Sequence, residues 1–92
     1  MDQRGWLSFV KLCASAKDAK ALDLLLELFL TAEEKDSLST RYLIVKELLA
    51  GQKTQREIAK DLSVSIAKIT RGSNELKRIA PKLRQHLETA LH

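Results

Sequence analysis

Lysine and arginine side chains in the second half of the chain offer the clearest chemistry in this sequence. The segment from Lys53 to Arg84 contains nine basic and three acidic residues, a local charge of +6, whereas all 92 residues together carry +4. Such side chains bind phosphate groups through charge and hydrogen bonds, so this asymmetry favours a polyanionic partner. A basic helical surface that is merely solvated is the alternative.

Two short helices joined by a tight turn are predicted within this segment, over about residues 54–72. Apolar side chains at Ile58, Leu62, Val64 and Ile69 can face one another across the helix pair, and Ala59 leaves space where the helices cross. This arrangement is that of a helix-turn-helix. An ordinary helical hairpin is the alternative.

The turn between these helices is predicted to hold Ser63 at a positive φ. Glycine is common at such a position because it has no Cβ, and serine occupies it at a cost of roughly 1 kcal/mol.

The second of these helices is predicted to present small and polar groups on and near its N-terminal, outward face. Such groups can approach base edges in the major groove of DNA, while polar and basic residues of the first helix meet phosphates. The candidates are Gln55, Arg56 and Lys60 on the first helix and Ser65, Ile66, Ala67, Lys68 and Thr70 on the second.

The whole chain is predicted to be all-α, because helical spacing recurs and no segment alternates convincingly with period two. We expect six helices, over about residues 6–13, 21–30, 32–50, 55–61, 66–76 and from Pro81 to near Leu91. Thr31 and Glu34, and likewise Thr54 and Glu57, have the spacing of a capping box. Gly51 suits the end of the third helix, whose buried side is predicted to carry Leu38, Tyr42, Val45, Leu48 and Leu49.

No linker or low-complexity tract interrupts the sequence, so a single domain over residues 1–92 is predicted. The segment Ala21 to Leu30 is apolar on nearly every side, which a small monomer cannot easily cover. Burial between two chains would cover it.

Several classes of protein are disfavoured by what the sequence contains. Cys13 is the single cysteine, and His86 and His92 stand apart from other potential ligands, so neither a disulfide nor a metal site is predicted. No nucleophile–base arrangement or phosphate-binding glycine loop is recognisable, so we predict neither an enzyme nor a cofactor. No secretory signal or membrane-spanning run is recognisable either, and a cytoplasmic location is predicted.

Five short motifs closely resemble the bacterial trp repressor family. They are LFLT at residues 28–31, STR at 39–41, TQRE at 54–57, VSIA at 64–67 and ITRGSN at 69–74. The similarity runs without a gap from about Trp6 into the last helix. The resemblance implies an intertwined all-helical homodimer that represses tryptophan biosynthesis or transport genes. L-tryptophan would act as the corepressor that orients the helix-turn-helix for a palindromic operator in double-stranded DNA.

The same resemblance implies which residues bind the ligand. Arg41 and Arg71 would sandwich the indole, and Arg71 would also pair with the ligand carboxylate, as planar guanidinium groups can do both. Val45 and Gly72 would line the slot from the same chain. The other chain would contribute Leu28, Leu30 and Thr31. For DNA, the resemblance selects Gln55, Arg56, Ile66, Ala67 and Thr70.

Three positions depart from the family pattern. Glu75 stands where many relatives have a small hydroxyl near the ligand ammonium group, so it would either hold that group more strongly or change the preferred ligand. Lys68 replaces a threonine on the outward helix, and Ala59 replaces a lysine that contacts phosphate.

Two other functional hypotheses fit the sequence. One is a ligand-independent DNA-binding module of the same superfamily, similar to that of a replication initiator. Such a module normally belongs to a longer chain, whereas this sequence starts at Met1 and is expected to be complete. The other is a helical adaptor whose basic hairpin binds a protein, which would show little binding to duplex DNA at low salt.

Overall fold

Six helices form the structure, a computed structural model in which residues 3–91 are described. They are α1 (Arg4–Ala14), α2 (Ala19–Phe29), α3 (Ala32–Ala50), α4 (Gln55–Leu62), α5 (Ile66–Arg78) and α6 (Pro81–Ala90), with no strand among the described residues. The predicted all-α class and the order of the helices are confirmed. The chain divides into two compact units, Met1–Lys35 and Asp36–His92, with the boundary inside α3. The single domain over residues 1–92 stays a prediction.

The first unit leaves much of its apolar surface in contact with solvent. Phe9 lies between two other aromatic rings, 6.0 Å from that of Trp6 and 5.3 Å from that of Phe29, the latter edge-on. Even so, no residue of α1 or α2 is buried, and the Trp6 side chain is 63% exposed. Large exposed apolar surfaces of this kind are typical of sites that bind another molecule.

Helix boundaries follow the predicted capping signals. The Thr31 hydroxyl accepts from the Glu34 backbone N–H, and a Glu34 carboxylate oxygen accepts from the Thr31 N–H, which completes the first capping box. Thr54 and Glu57 form the second in the same way. Gly51 follows α3 with φ at 66°, a conformation that other residues adopt only with strain.

The start of α2 differs from the predicted one, because its signal lies outside the apolar run. The Asp18 carboxylate accepts a hydrogen bond from the Ala21 N–H at 2.8 Å, so α2 begins at Ala19 rather than at Ala21.

The core of the second unit is the helix pair predicted from the sequence. Its members are Ile44, Ile58, Ala59 and Ile69, with Leu48, Leu62 and Val64 packed against them. The helix-turn-helix is thereby confirmed, and its apolar side chains join α4, α5 and the second half of α3.

The predicted buried side of α3 is partly wrong. Leu38 and Tyr42 are each 48% exposed, whereas Ile44, which was not predicted, is 4% exposed. The reason is that residues 42–45 are four consecutive apolar side chains, which together point to every side of a helix. Packing against α4 and α5 selects Ile44 among them.

The turn between α4 and α5 has the predicted geometry. Ser63 has φ 55° and ψ 45°, in the left-handed region, and the Val64 N–H donates to the Ala59 carbonyl at 3.0 Å. The Ser65 hydroxyl then accepts from the Lys68 N–H at the start of α5. The turn therefore stops one helix and caps the next within three residues.

The Glu57 carboxylate makes the stability of α4 dependent on pH. The hydrogen bonds from the Thr54 backbone and side chain hold the pKa of Glu57 below its ordinary value. Its contribution to folding is therefore fully present above the unfolded-state pKa and is lost as pH falls through the lower folded-state value.

Between about pH 5 and pH 3 we expect the wild-type free energy of unfolding to fall more than that of Glu57→Gln. Glutamine accepts the same capping bond without titrating, so only the pH dependence should differ. Urea unfolding at several pH values, at one protomer concentration, measures the difference. Parallel pH profiles of the two proteins would contradict it.

Candidate nucleic-acid interface and ligand site

The outward face of α5 is formed by the residues that were predicted from the sequence to contact DNA. Ser65, Ile66, Ala67, Lys68 and Thr70 are all exposed, whereas Ile69 between them is fully buried. Ile66 is a large apolar side chain that remains 46% exposed. The helix-turn-helix core thus holds the first turns of α5 by one side and leaves the opposite side open to a partner.

The two candidates on α4 lie beside this face. Gln55 and Arg56 are exposed in the first turn of α4, directly after the Thr54 cap. The Thr70 hydroxyl donates a hydrogen bond to Gln55 Oε1 at 3.0 Å. The structure therefore brings the beginning of α4 and the outward face of α5 together into one continuous exposed surface.

Lys53, one of the nine basic residues of the segment, is engaged by two carboxylates. Its Nζ lies 2.9 Å from Glu47 Oε2 on α3 and 2.9 Å from Asp61 Oδ2 on α4. The hydrogen bonds to Asp61 and Glu47 raise the pKa of Lys53 well above its ordinary value. Lys53 therefore ties α4 to the end of α3 instead of presenting a free charge. These two ion pairs could not be predicted from the sequence, because Glu47 and Asp61 are six and eight residues away from Lys53.

The other basic side chains of the segment differ in whether a carboxylate pairs with them. Arg78 pairs with Glu75 one turn earlier on α5, and Arg84 pairs with Glu88 on α6. Within residues 3–91, by contrast, Arg56, Lys60 and Lys68 make no ion pair with a carboxylate. These three charges are available to phosphate groups.

The ligand residues expected from one chain lie on α3 and α5. Arg41 is exposed and Val45 half-buried on α3, while α5 carries Arg71 and Glu75, both exposed, and the half-buried Gly72. At Gly72 the two helices approach so closely that an added Cβ would lie 3.1 Å from Ile44 Cγ2 and 3.5 Å from Leu48 Cδ1. Gly72 thus packs on α3 within one turn of Arg41 and Val45.

An open depression runs along α5 beside these residues. Its lining is Ala67, Thr70, Arg71, Asn74, Glu75, Lys77 and Arg78. It joins two DNA candidates, Ala67 and Thr70, to two ligand candidates, Arg71 and Glu75. A ligand seated against Arg71 would therefore lie next to the surface assigned to DNA. Asn74, which shares the depression, was not singled out from the sequence, where only its place in ITRGSN marked it.

The remaining ligand candidates lie in the first unit. Leu28 is 77% exposed, Leu30 is half-buried and Thr31 caps α3 through Glu34. Their place beside the ligand of a second chain stays a prediction.

Residues 3–91 contain neither a cluster of metal-ligating side chains nor a membrane-spanning helix. No three His, Cys, Asp or Glu side chains there are grouped as metal ligands, and no helix combines the length and apolar character needed to cross a membrane. His92 lies outside the described residues.

Comparison with known proteins assigns the family. The family model described as "Trp repressor protein" matches residues 4–91. A "Trp operon repressor homolog" of Chlamydia caviae is 49% identical over 95% of this chain and 86% of its own length. Proteins of the same name from Chlamydia trachomatis serovar D and Vibrio campbellii are 44% and 40% identical, over 95% and 98% of this chain and 93% and 90% of their own lengths. The chain therefore belongs to the Trp repressor family, whose members are DNA-binding regulators of transcription and not enzymes.

Proposed function

We propose that this chain represses transcription by binding operator DNA as a homodimer, with L-tryptophan as its corepressor. The observation that carries the proposal is the helix-turn-helix whose second helix presents an exposed polar face, in a chain of the Trp repressor family. Its site of action is bacterial DNA, and the protein accordingly works in the cytoplasm.

On DNA, α5 enters the major groove by its N-terminal half and α4 lies against the backbone. Ile66, Ala67 and Lys68 then face base edges, where an exposed isoleucine can contact a thymine methyl and a lysine can reach guanine O6 or N7. Arg56 and Lys60 neutralise phosphates. Ser65 belongs to the same face, with its hydroxyl already used as the cap of α5.

For the ligand, Arg71 supplies the charge that a carboxylate requires. Its guanidinium group can pair with carboxylate in its plane and stack on the indole by its face, opposite Arg41. Glu75 can bind the ammonium group. Its present partner Arg78 is exposed and one turn away, so replacing that ion pair by a contact with the ligand costs little free energy. As a corepressor, L-tryptophan would raise the affinity for DNA, and by linkage DNA would raise the affinity for L-tryptophan by the same factor.

A homodimer accounts for the apolar surface that one chain leaves uncovered. In the first unit Trp6, Leu24 and Leu28 are each more than half exposed, and in the second Leu38 and Tyr42 are nearly so. An intertwined partner would cover these side chains. The partner would also bring its Leu28, Leu30 and Thr31 to a ligand seated in the open depression along α5.

Counterion release provides the test of the DNA surface. With Arg56 and Lys60 contacting phosphates in each protomer, a dimer makes about four such contacts, and log Kobs should fall with log salt with a slope of about −4. Fluorescence anisotropy with a mixed-sequence duplex, over a series of salt concentrations, gives this slope.

Two lysine variants form a matched pair for this experiment. Lys60→Ala should make the slope shallower by about two, one contact for each protomer. Lys53→Ala should leave it unchanged, because Glu47 and Asp61 already neutralise that charge. A flat salt dependence of the wild-type protein would refute phosphate-directed binding, and equal slopes for the two variants would refute the assignment of Lys60.

A further inference from the structure

One hydrogen bond connects the side chains of the two helices of the helix-turn-helix. The Thr70 hydroxyl on α5 donates to Oε1 of Gln55, the first residue of α4, at 3.0 Å. Fifteen residues separate the two positions, and both side chains are exposed. A bond between two exposed polar side chains adds little to stability, because water would satisfy both groups as well. Its geometry, however, has a chemical consequence.

The bond leaves the two side chains with different hydrogen-bonding capacities. A glutamine amide accepts through Oε1 and donates through the two hydrogens of Nε2. With Oε1 directed to Thr70, the free end of the Gln55 amide is Nε2, which donates only. The Thr70 hydroxyl has one hydrogen, and Gln55 occupies it. While the bond lasts, Thr70 has no hydrogen to donate to a phosphate oxygen.

We propose that Thr70 is a positioning residue that fixes the Gln55 amide with its donor end towards a DNA phosphate. The inference rests on the proposed DNA-binding function. Phosphate oxygens only accept hydrogen bonds, so an amide held in this orientation is ready to bind without a rotation of its last torsion angle. Gln55 is the group in contact with DNA, next to Arg56 on the same turn of α4, and Thr70 acts through it.

A double-mutant cycle separates this role from a direct contact by Thr70. The probe is a duplex that the wild-type protein selects from a random-sequence pool with L-tryptophan present, and the affinity is measured by fluorescence anisotropy. We expect Thr70→Val and Gln55→Ala each to weaken binding by about three- to tenfold, and the double variant to bind no worse than Gln55→Ala. Thr70→Ser, which retains the hydroxyl, should recover most of the affinity that Thr70→Val loses.

Thr89→Val serves as the control for the chemical change itself. Thr89 lies on α6, where its hydroxyl donates to the Gln85 carbonyl, so its replacement should leave DNA affinity unchanged. Urea unfolding of every variant shows that the helix pair is intact, as expected for exposed positions.

The outcomes distinguish this inference from the function on which it rests. Losses that multiply in the double variant would show that Thr70 acts independently of Gln55 and would overturn the inference alone, as would a Thr70→Val variant with unchanged affinity. A wild-type protein that selects no duplex would overturn the proposed function, and the inference with it.

Discussion

Replacing Arg71 by alanine is expected to abolish the binding of L-tryptophan, with a loss of affinity of about a hundredfold or more. The variant removes a charge-assisted hydrogen bond to the carboxylate and the stacking of a guanidinium group on the indole at the same time. Isothermal titration calorimetry measures the change, with saturation at one ligand per chain expected for the wild-type protein. Unchanged affinity in Arg71→Ala would refute the proposed slot.

Arg84→Ala is the matched control for this variant. Arg84 is an arginine on α6 that pairs with Glu88, outside the depression along α5. Its replacement removes the same charge and should leave the affinity for L-tryptophan unchanged.

Two ligand analogues then identify which end of the amino acid each charge binds. Tryptamine lacks the carboxylate, so it should bind wild-type protein weakly and lose less affinity than L-tryptophan does in Arg71→Ala, because only the stacking on the indole is removed. Indole-3-propionate lacks the ammonium group and should bind weakly if Glu75 holds that group. Equal binding of L-tryptophan and indole-3-propionate would exclude the role of Glu75.

The second large effect concerns stability, and it contrasts two isoleucines three residues apart on α5. Ile69 is fully buried, so Ile69→Ala should lower the free energy of unfolding by about 2–5 kcal/mol. Ile66 is 46% exposed, and Ile66→Ala should change it by no more than about 0.5 kcal/mol. Urea unfolding at a single protomer concentration compares the two.

For DNA binding, the exposed isoleucine should be the one that contributes directly. Ile66→Ala should weaken binding to a selected duplex in a protein that is as stable as the wild type, because it removes an exposed apolar group from the face of α5. Equal stability losses for the two variants would contradict the described orientation of α5.

The parts of the fold that the sequence predicted well are those governed by neighbours in the chain. Both capping boxes join residues three apart, and each gave the start of a helix correctly. Ser63 was placed at positive φ because a tight turn between two helices requires it there. These features depend on a few adjacent residues, so a single sequence contains the information.

Features that depend on distant contacts could not be predicted in this way. Residues 42–45 are all apolar, and only packing against α4 and α5 determines that Ile44 is the buried one. Lys53 is one of the nine basic residues of its segment, and only the fold shows that it lies between the carboxylates of Glu47 and Asp61.

The candidate ligand site likewise has one part that the sequence indicates through local spacing and another that it does not. Arg71 and Glu75 share one depression because they are one turn apart on α5, a spacing visible in the sequence. Thr31, in contrast, has a complete explanation within its own chain as the cap of α3. Its expected place beside a ligand came from the resemblance alone, since the slot needs a second chain.

The three glycines of the chain differ in how freely they could vary during evolution. Gly5 is exposed with no atom within 4 Å of an added Cβ, so drift at that position meets no steric barrier. Gly51 is constrained by its own backbone angle and tolerates few residues. At Gly72 an added Cβ would lie 3.1 Å from Ile44 Cγ2, so an alanine there requires Ile44 or the helix to shift by a few tenths of an ångström. The side chain at position 44 therefore limits which residues position 72 can hold.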